Sequence, residues 1–143
     1  MSNPTKLGRL EKLSVNILTD TSKMLKDAKT ELFADLRGRV LEVGAGTGVN
    51  VYFFKDQRVI EWVAVEPDLK LAEECERAME EMGDRARVFK GYLHDLDEPK
   101  GSFDCVVFST LLCSVPDPSA IVRESHSVSY THLRAHETLR YLV

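Results

Sequence analysis

The sequence predicts an α/β fold, in which a parallel sheet is flanked by helices. Short runs of branched aliphatic residues alternate with segments whose apolar residues recur every three or four positions. The first pattern is typical of strands buried on both faces, and the second of helices with one apolar face. A glycine-rich loop separates the first strand from the following helix. Such alternation implies parallel strands joined by right-handed crossovers.

Four strands are predicted, each from a short apolar run. The run at 60–65 is nearly all apolar, as expected of a strand that is covered on both faces. The predicted strands cover residues 39–43, 60–65, 86–89 and 103–109.

The predicted helices are delimited by residues that favour helix ends. Asp68 offers a side-chain oxygen as an N-cap, and Gly83 is suited to end the helix that Asp68 begins. Asp117 and Pro118 form a similar start for a later helix. The other helices are predicted from about residue 20 to Gly38 and over residues 49–54.

Length and charge limit the classes of protein. A chain of 143 residues suffices for one ordinary domain. The net charge of −4 argues against non-specific nucleic-acid binding, which needs a basic excess. No apolar run approaches the roughly 20 residues of a membrane span, and the N-terminus lacks the apolar core of a signal peptide. We therefore expect a cytoplasmic protein.

The cysteines and histidines do not predict a metal site. Cys75, Cys105 and Cys113 lack CxxC spacing, and small buried side chains are the simpler interpretation. His132 and His136 stand four apart, which would place them on one helical face as ligands. We discount this pair, because the segment that contains it differs from the rest of the chain.

The glycine loop predicts a ligand site. Gly44, Gly46 and Gly48 allow the backbone to approach a ligand closely, and the next helix directs free N–H groups toward it. Glu66 ends the second strand about twenty residues later, where a carboxylate can accept hydrogen bonds from ribose hydroxyls.

The glycine spacing separates two classes of cofactor. Dinucleotide enzymes use GxGxxG, which would require a glycine at position 49, where this chain has Val49. Here the third glycine is Gly48, which gives GxGxG. An NAD-dependent oxidoreductase is therefore disfavoured and remains a third alternative.

Several segments resemble class I S-adenosylmethionine-dependent methyltransferases, which have a Rossmann-like fold. Val40–Gly48 resembles their first motif, Val63–Asp68 the segment after it, and Phe103–Val107 the fourth-strand motif. The chain also resembles the type 11, methyltransferase-like group that includes membrane-associated alkyl-thiol methyltransferases. Thr30–Phe33 and Ser109–Val115 carry that closer likeness.

The resemblance implies S-adenosylmethionine as cofactor and a role for each matching residue. The three glycines would form the bed for its methionine part, Glu42 would lie near its amino group, and Glu66 would hold its ribose hydroxyls. Thr110 and Leu111 would line the cofactor from the fourth strand. The implied cofactor-binding set is Glu42, Gly44, Ala45, Gly46, Gly48, Glu66, Pro67, Tyr92, Leu93, Thr110 and Leu111.

Adenine recognition departs from the family pattern. Many members have an acidic residue after the third strand, near the adenine. This chain has Gly91, Tyr92 and Leu93 there, with His94 and Asp95 just beyond. Tyr92 and Leu93 could still pack against the ring.

The resemblance also implies the reaction, an in-line transfer of the cofactor's methyl group to a small molecule, with a thiol as one candidate. The sulfonium is an activated donor, so the protein mainly supplies positioning and desolvation. A thiol would react as its thiolate. No residue is identified as a general base. A cofactor-binding fragment or pseudoenzyme without turnover is the alternative.

The C-terminal segment is predicted to be foreign to the protein. Residues 128–143 resemble one reading frame of a transposon-derived sequencing adaptor translated into protein. The expected organisation is a mobile segment with the start of a cap helix at 1–22, a partial methyltransferase domain at 23–127, and a non-native tail at 128–143. A complete sheet of this family has seven strands, so the fold would be incomplete, with about four. The fourth strand would then be an exposed apolar edge, and the chain poorly stable.

Overall fold

A five-stranded parallel sheet forms the centre of the protein. The computed structural model describes residues 23–24, 26–31, 33–109, 111 and 114–136. The strands lie in the order β3-β2-β1-β4-β5, and every neighbouring pair is parallel. Their bounds are β1 Gly38–Val43, β2 Val59–Val65, β3 Ala86–Phe89, β4 Phe103–Ser109 and β5 Ser129–His136.

The register aligns the carboxyl ends of the central strands. Val43 of β1 pairs with Val65 of β2 and with Phe108 of β4. The loops that follow β1, β2 and β4 therefore begin at one edge of the sheet. Ligands of open parallel sheets bind at this edge.

The fifth strand corrects one expectation. Residues 129–136, assigned above to a tail, form β5 and pair with β4 from Phe103 to Ser109. The expectation that β4 would be an exposed edge is therefore wrong, because β5 covers it. The strand also rules out the helical face on which His132 and His136 would have stood together.

Three helices flank the sheet, and helical residues at 26–31 precede it. The helix after the glycine loop is shorter than expected. It includes only four of the six residues from 49 to 54. The second helix ends four residues before Gly83, and a 3₁₀ turn, Glu80–Arg85, follows it. The helices are α1 Val51–Phe54, α2 Leu69–Met79 and α3 Pro118–Val128.

Both predicted N-caps are present. Asp68 accepts hydrogen bonds from the amides of Lys70 and Leu71 at 2.9 and 3.0 Å. Asp117 accepts one from the amide of Ala120 at 3.0 Å. Each carboxylate satisfies amides that have no partner within the helix.

Removing the Asp68 cap should cost a modest amount of stability. We expect Asp68→Ala to lower the free energy of unfolding by about 1 kcal/mol, since the first turn of α2 loses its acceptor. Urea unfolding followed by circular dichroism measures this. Asp68→Asn, which keeps a capping oxygen, should lose much less, and an equal loss in both variants would contradict the capping role.

Alternate residues of the central strands face two apolar cores. On one face, Trp62 and Phe54 are fully buried and stack with ring centroids 4.1 Å apart. On the other face, Leu41, Val63 and Val106 pack together. Trp62 is therefore a core residue, as its apolar strand indicates.

A ring of charges joins the first three strands on the side away from the loops. Arg39 of β1 and Arg87 of β3 each bind both Glu61 of β2 and Glu98. Burial opposes the charged form of Glu61, but its bonds to Arg39 and Arg87 lower its pKa. The ring therefore ties the edge strand β3 to β2 and to the central strand β1.

Candidate functional site

The glycine loop is fixed to the end of β2. The amides of Gly44 and Ala45 donate to the carbonyl of Val65 at 2.9 and 3.2 Å. Ala45 is buried in the core, so its side chain supports the loop from behind. The loop thus stands directly beside the residue that follows Val65, which is Glu66.

Glu66 is bonded to the backbone on both sides. One carboxylate oxygen accepts from the amide of Gly46 at 2.8 Å, and the other from the amide of Asp68 at 3.0 Å. The residue is 6% exposed. Because a carboxylate has about four acceptor sites, two bonds leave room for hydroxyl donors. Glu66 is thus oriented beside the loop with capacity for the predicted ribose contact.

The glycines of the loop serve different purposes. Gly46 has a φ of +59°, and no heavy atom of the described residues lies within 4 Å of where a Cβ would stand. At Gly48 a Cβ would lie 3.1 Å from the side chains of both Ala78 and Cys75. Gly48 therefore lets α2 pack against the loop, whereas Gly46 leaves open space next to it.

A cavity of about 390 Å³ lies at the carboxyl ends of the strands. This size falls within the roughly 300–1,000 Å³ of small-molecule and cofactor sites. Five residues of the predicted set line it, namely Gly44, Pro67, Tyr92, Leu93 and Leu111.

The sequence did not indicate the other wall of the cavity. Val115, Asp117, Ile121 and Glu124 line it from α3 and the segment before that helix. The periodicity of α3 marks an apolar face, but the cavity that this face meets depends on the tertiary packing. His94 also lines the cavity, and its ring stacks on that of Tyr92 with centroids 5.5 Å apart.

Glu42 lies behind the loop and is fully buried. Its Oε1 accepts from the amide nitrogen of Asn50 at 2.5 Å, and the Asn50 oxygen accepts from Lys29 at 3.0 Å. Among the described residues, its Oε2 and the Trp62 indole nitrogen have no hydrogen-bond partner. The predicted contact of Glu42 with an amino group stays a prediction.

The environment of Glu42 raises its pKa to about 7. Burial is the main cause, and the negative charge of Glu66 adds to it. Asn50 and Lys29 act in the opposite direction and stabilise the charged form. Glu42 therefore holds a proton over a pH range in which an exposed glutamate is ionised.

Several predicted features fall outside the described residues, namely Thr110, Cys113, the segment 1–22 and the end of the predicted tail at 137–143. Within the described part of the chain, no three His, Cys, Asp or Glu residues are grouped as metal ligands would be. No helix there has the length and hydropathy to cross a membrane.

The site fits an adenosine-containing cofactor. Gly46 leaves room for close approach, Glu66 offers acceptors for ribose, and the cavity beside them is mainly apolar. The loop after a first parallel strand and the acid after the second define a nucleotide-cofactor site of the Rossmann-like class.

Comparisons with known proteins agree with this site. A family model described as a methyltransferase domain matches residues 18–132. No curated protein matches the sequence. The YcgJ protein of Bacillus subtilis is 27% identical, with a TM-score of 0.58 over 76% of this chain and 44% of that one.

Two further solved structures share the fold. A putative S-adenosylmethionine-dependent methyltransferase from Methanococcus maripaludis is 15% identical, with a TM-score of 0.64 over 94% of this chain and 67% of that one. A putative RNA methyltransferase from Pyrococcus horikoshii is 22% identical, with a TM-score of 0.61 over 72% and 56%.

The chain belongs to the class I S-adenosylmethionine-dependent methyltransferases. S-adenosylmethionine is accordingly its cofactor, and the NAD alternative is set aside. The chain spans about half the length of YcgJ and of the Pyrococcus protein, 44% and 56% respectively, and 67% of the Methanococcus protein.

Proposed function

We propose that the protein transfers the methyl group of S-adenosylmethionine to a small molecule, and that a thiol is the first acceptor to test. The observation that carries the proposal is the Glu66 carboxylate, bound to the Gly46 amide at 2.8 Å beside the 390 Å³ cavity. It provides a ribose anchor next to an apolar space of the right size for a base. The closer resemblance to alkyl-thiol methyltransferases supports the choice of a thiol.

The charge of the chain supports a small-molecule acceptor rather than a nucleic acid. The net charge is −4, whereas a surface that binds phosphates needs a basic excess.

In the mechanism, the chain's residues mainly hold the reactants in position. The bound cofactor supplies an electrophilic methyl group on a sulfonium. Glu66 would hold the ribose, the open face of Gly46 would admit the methionine part, and Leu93 and Leu111 would exclude water from the base. Such positioning can account for a large part of a rate enhancement without an enzyme nucleophile.

Cofactor binding without turnover is the second candidate. One observation supports this second candidate. The predicted site residues in the described chain all have roles in binding the cofactor, and none is assigned to the methyl acceptor. Calorimetric titration with S-adenosylhomocysteine tests binding, which both candidates require. Transfer of a labelled methyl group to a small thiol or another small acceptor would exclude the second candidate, and transfer to RNA alone would overturn the small-molecule proposal.

Glu66→Ala should weaken S-adenosylhomocysteine binding about tenfold, because a charge-assisted hydrogen bond to ribose is lost. The substitution also frees the amides of Gly46 and Asp68, so a second ligand is needed as a control. The analogue without ribose hydroxyls should bind wild type and Glu66→Ala with nearly equal affinity. Equal losses for both ligands would show that Glu66 only shapes the loop.

We also keep the proposed organisation, with a cofactor-binding unit at 23–127 and a foreign segment at 128–143. The free thiols of Cys75 and Cys105 support a reducing, cytoplasmic setting. Sequencing the source transcript tests whether residues 128–143 are foreign to the protein. A genomic exon that encodes these residues would contradict the proposal.

A further inference from the structure

Glu124 is an acidic residue in the lining of a mainly apolar cavity. It lies in α3 and lines the cavity together with Ile121 of the same helix. Leu93 and Leu111 line the cavity too. The residue is partly buried, so its charge is only partly exposed to water.

The carboxylate of Glu124 has no assigned partner in the described part of the chain. Its backbone carbonyl accepts from the Ser127 hydroxyl, but its side chain forms no hydrogen bond or ion pair there. The other acid of the lining, Asp117, is already bonded to the Ala120 amide and lies 4.0 Å from Arg123. A carboxylate beside apolar surface is stabilised when a donor meets it.

The position of the ribose limits what that donor can be. If Glu66 holds the ribose, the attached base must enter the adjacent cavity. The base is a planar purine, whose exocyclic amine is its hydrogen-bond donor. The segment after β3 contributes Tyr92 and Leu93 to the lining but no carboxylate.

We propose that Glu124 accepts a hydrogen bond from the exocyclic amine of the cofactor's adenine, and so selects adenine from the α3 side. This inference rests on the proposed function, since it requires the adenosine to occupy the cavity. Glu124 is a specificity-determining residue in this proposal, with no part in the methyl transfer itself.

A pair of ligands isolates this contact. One is S-adenosylhomocysteine, and the other is its analogue with hydrogen in place of the 6-amino group. Calorimetry should show that wild type prefers the amino ligand about tenfold, the effect of one hydrogen bond to a charged group. In Glu124→Ala the two affinities should become nearly equal. Glu124→Gln keeps an acceptor oxygen and should keep part of the preference.

Two further variants serve as controls. Glu73 is exposed on α2 and outside the cavity lining, so Glu73→Gln should keep the full preference. Glu66→Ala should weaken the binding of both ligands equally, because both carry the same ribose. If Glu124→Ala does not fold, Glu124→Gln provides the test. A reduced preference for the amino ligand in that variant supports the proposal.

The outcomes separate this inference from the proposed function. If wild type binds neither ligand, the proposed cofactor site fails. If it binds both but Glu124→Ala and Glu124→Gln keep the full preference, only the role of Glu124 is overturned. Equal weakening of both ligands in the Glu124 variants would also overturn it, since that result indicates a structural role.

Discussion

Replacing Glu42 by glutamine should raise the free energy of unfolding at pH 8 by about 3 kcal/mol and leave it nearly unchanged at pH 4. Burial raises the pKa of Glu42 to about 7, from the ordinary glutamate value of 4.5. Between these two values the unfolded chain releases a proton that the folded chain retains. Stability should therefore fall as the pH rises through this range and level off above about pH 7.

Glutamine has nearly the shape of glutamate and keeps the oxygen that accepts from Asn50. It cannot ionise, so the variant should not lose stability at this site as the pH rises. Urea unfolding at pH 4, 6 and 8 measures the difference. Glu73→Gln, which removes an exposed carboxylate, should show little change at any pH. An effect of Glu42→Gln that is equal at pH 4 and pH 8 would contradict this account.

Gly46→Ala should weaken S-adenosylhomocysteine binding about a hundredfold, which corresponds to about 2.7 kcal/mol. A methyl group at this position would project into the open space beside the loop, where no atom of the described part of the chain lies within 4 Å. The protein itself has room for it, so the steric cost should fall on the ligand. The φ of +59° adds a destabilisation of about 1–2 kcal/mol.

Gly83→Ala is the matched control for strain. Gly83 has a φ of +55° and also has nothing within 4 Å of a Cβ, but it lies in the 3₁₀ turn after α2 and outside the cavity lining. Its ψ of −135° makes alanine at least as unfavourable there. Calorimetry should find near-normal affinity in this variant. Similar affinity losses in both variants would mean that reduced stability, not ligand contact, explains the effect at Gly46.

The sequence was sufficient for the features that depend on local pattern. All four predicted strands are present within one residue of their expected bounds, because strands buried on both faces consist of short apolar runs. Asp68 and Asp117 were predicted as caps because a cap needs only a side-chain oxygen at the right position. The spacing of Gly44, Gly46 and Gly48 likewise indicated the class of cofactor.

The features that sequence reasoning missed depend on tertiary contacts. β5 was assigned to a tail by its resemblance to an adaptor, although Tyr130 and Thr131 are residues that strands favour. The burial of Glu42 could not be read from its place in a strand, since the motif does not show what covers that face. Glu124 was missed because its importance depends on which cavity α3 packs against.

The close approach of Gly48 to Cys75 makes that thiol a natural reporter of loop opening. The thiol is fully buried, and burial together with the negative charge of Glu42 and Glu66 raises its pKa to about 12. The thiolate is the form that attacks alkylating reagents, so labelling at neutral pH should require α2 to separate from the loop. The labelling rate of Cys75, followed by peptide mass spectrometry, should fall when S-adenosylhomocysteine binds. An unchanged rate at saturating ligand would indicate that the ligand does not stabilise the contact between Gly48 and α2.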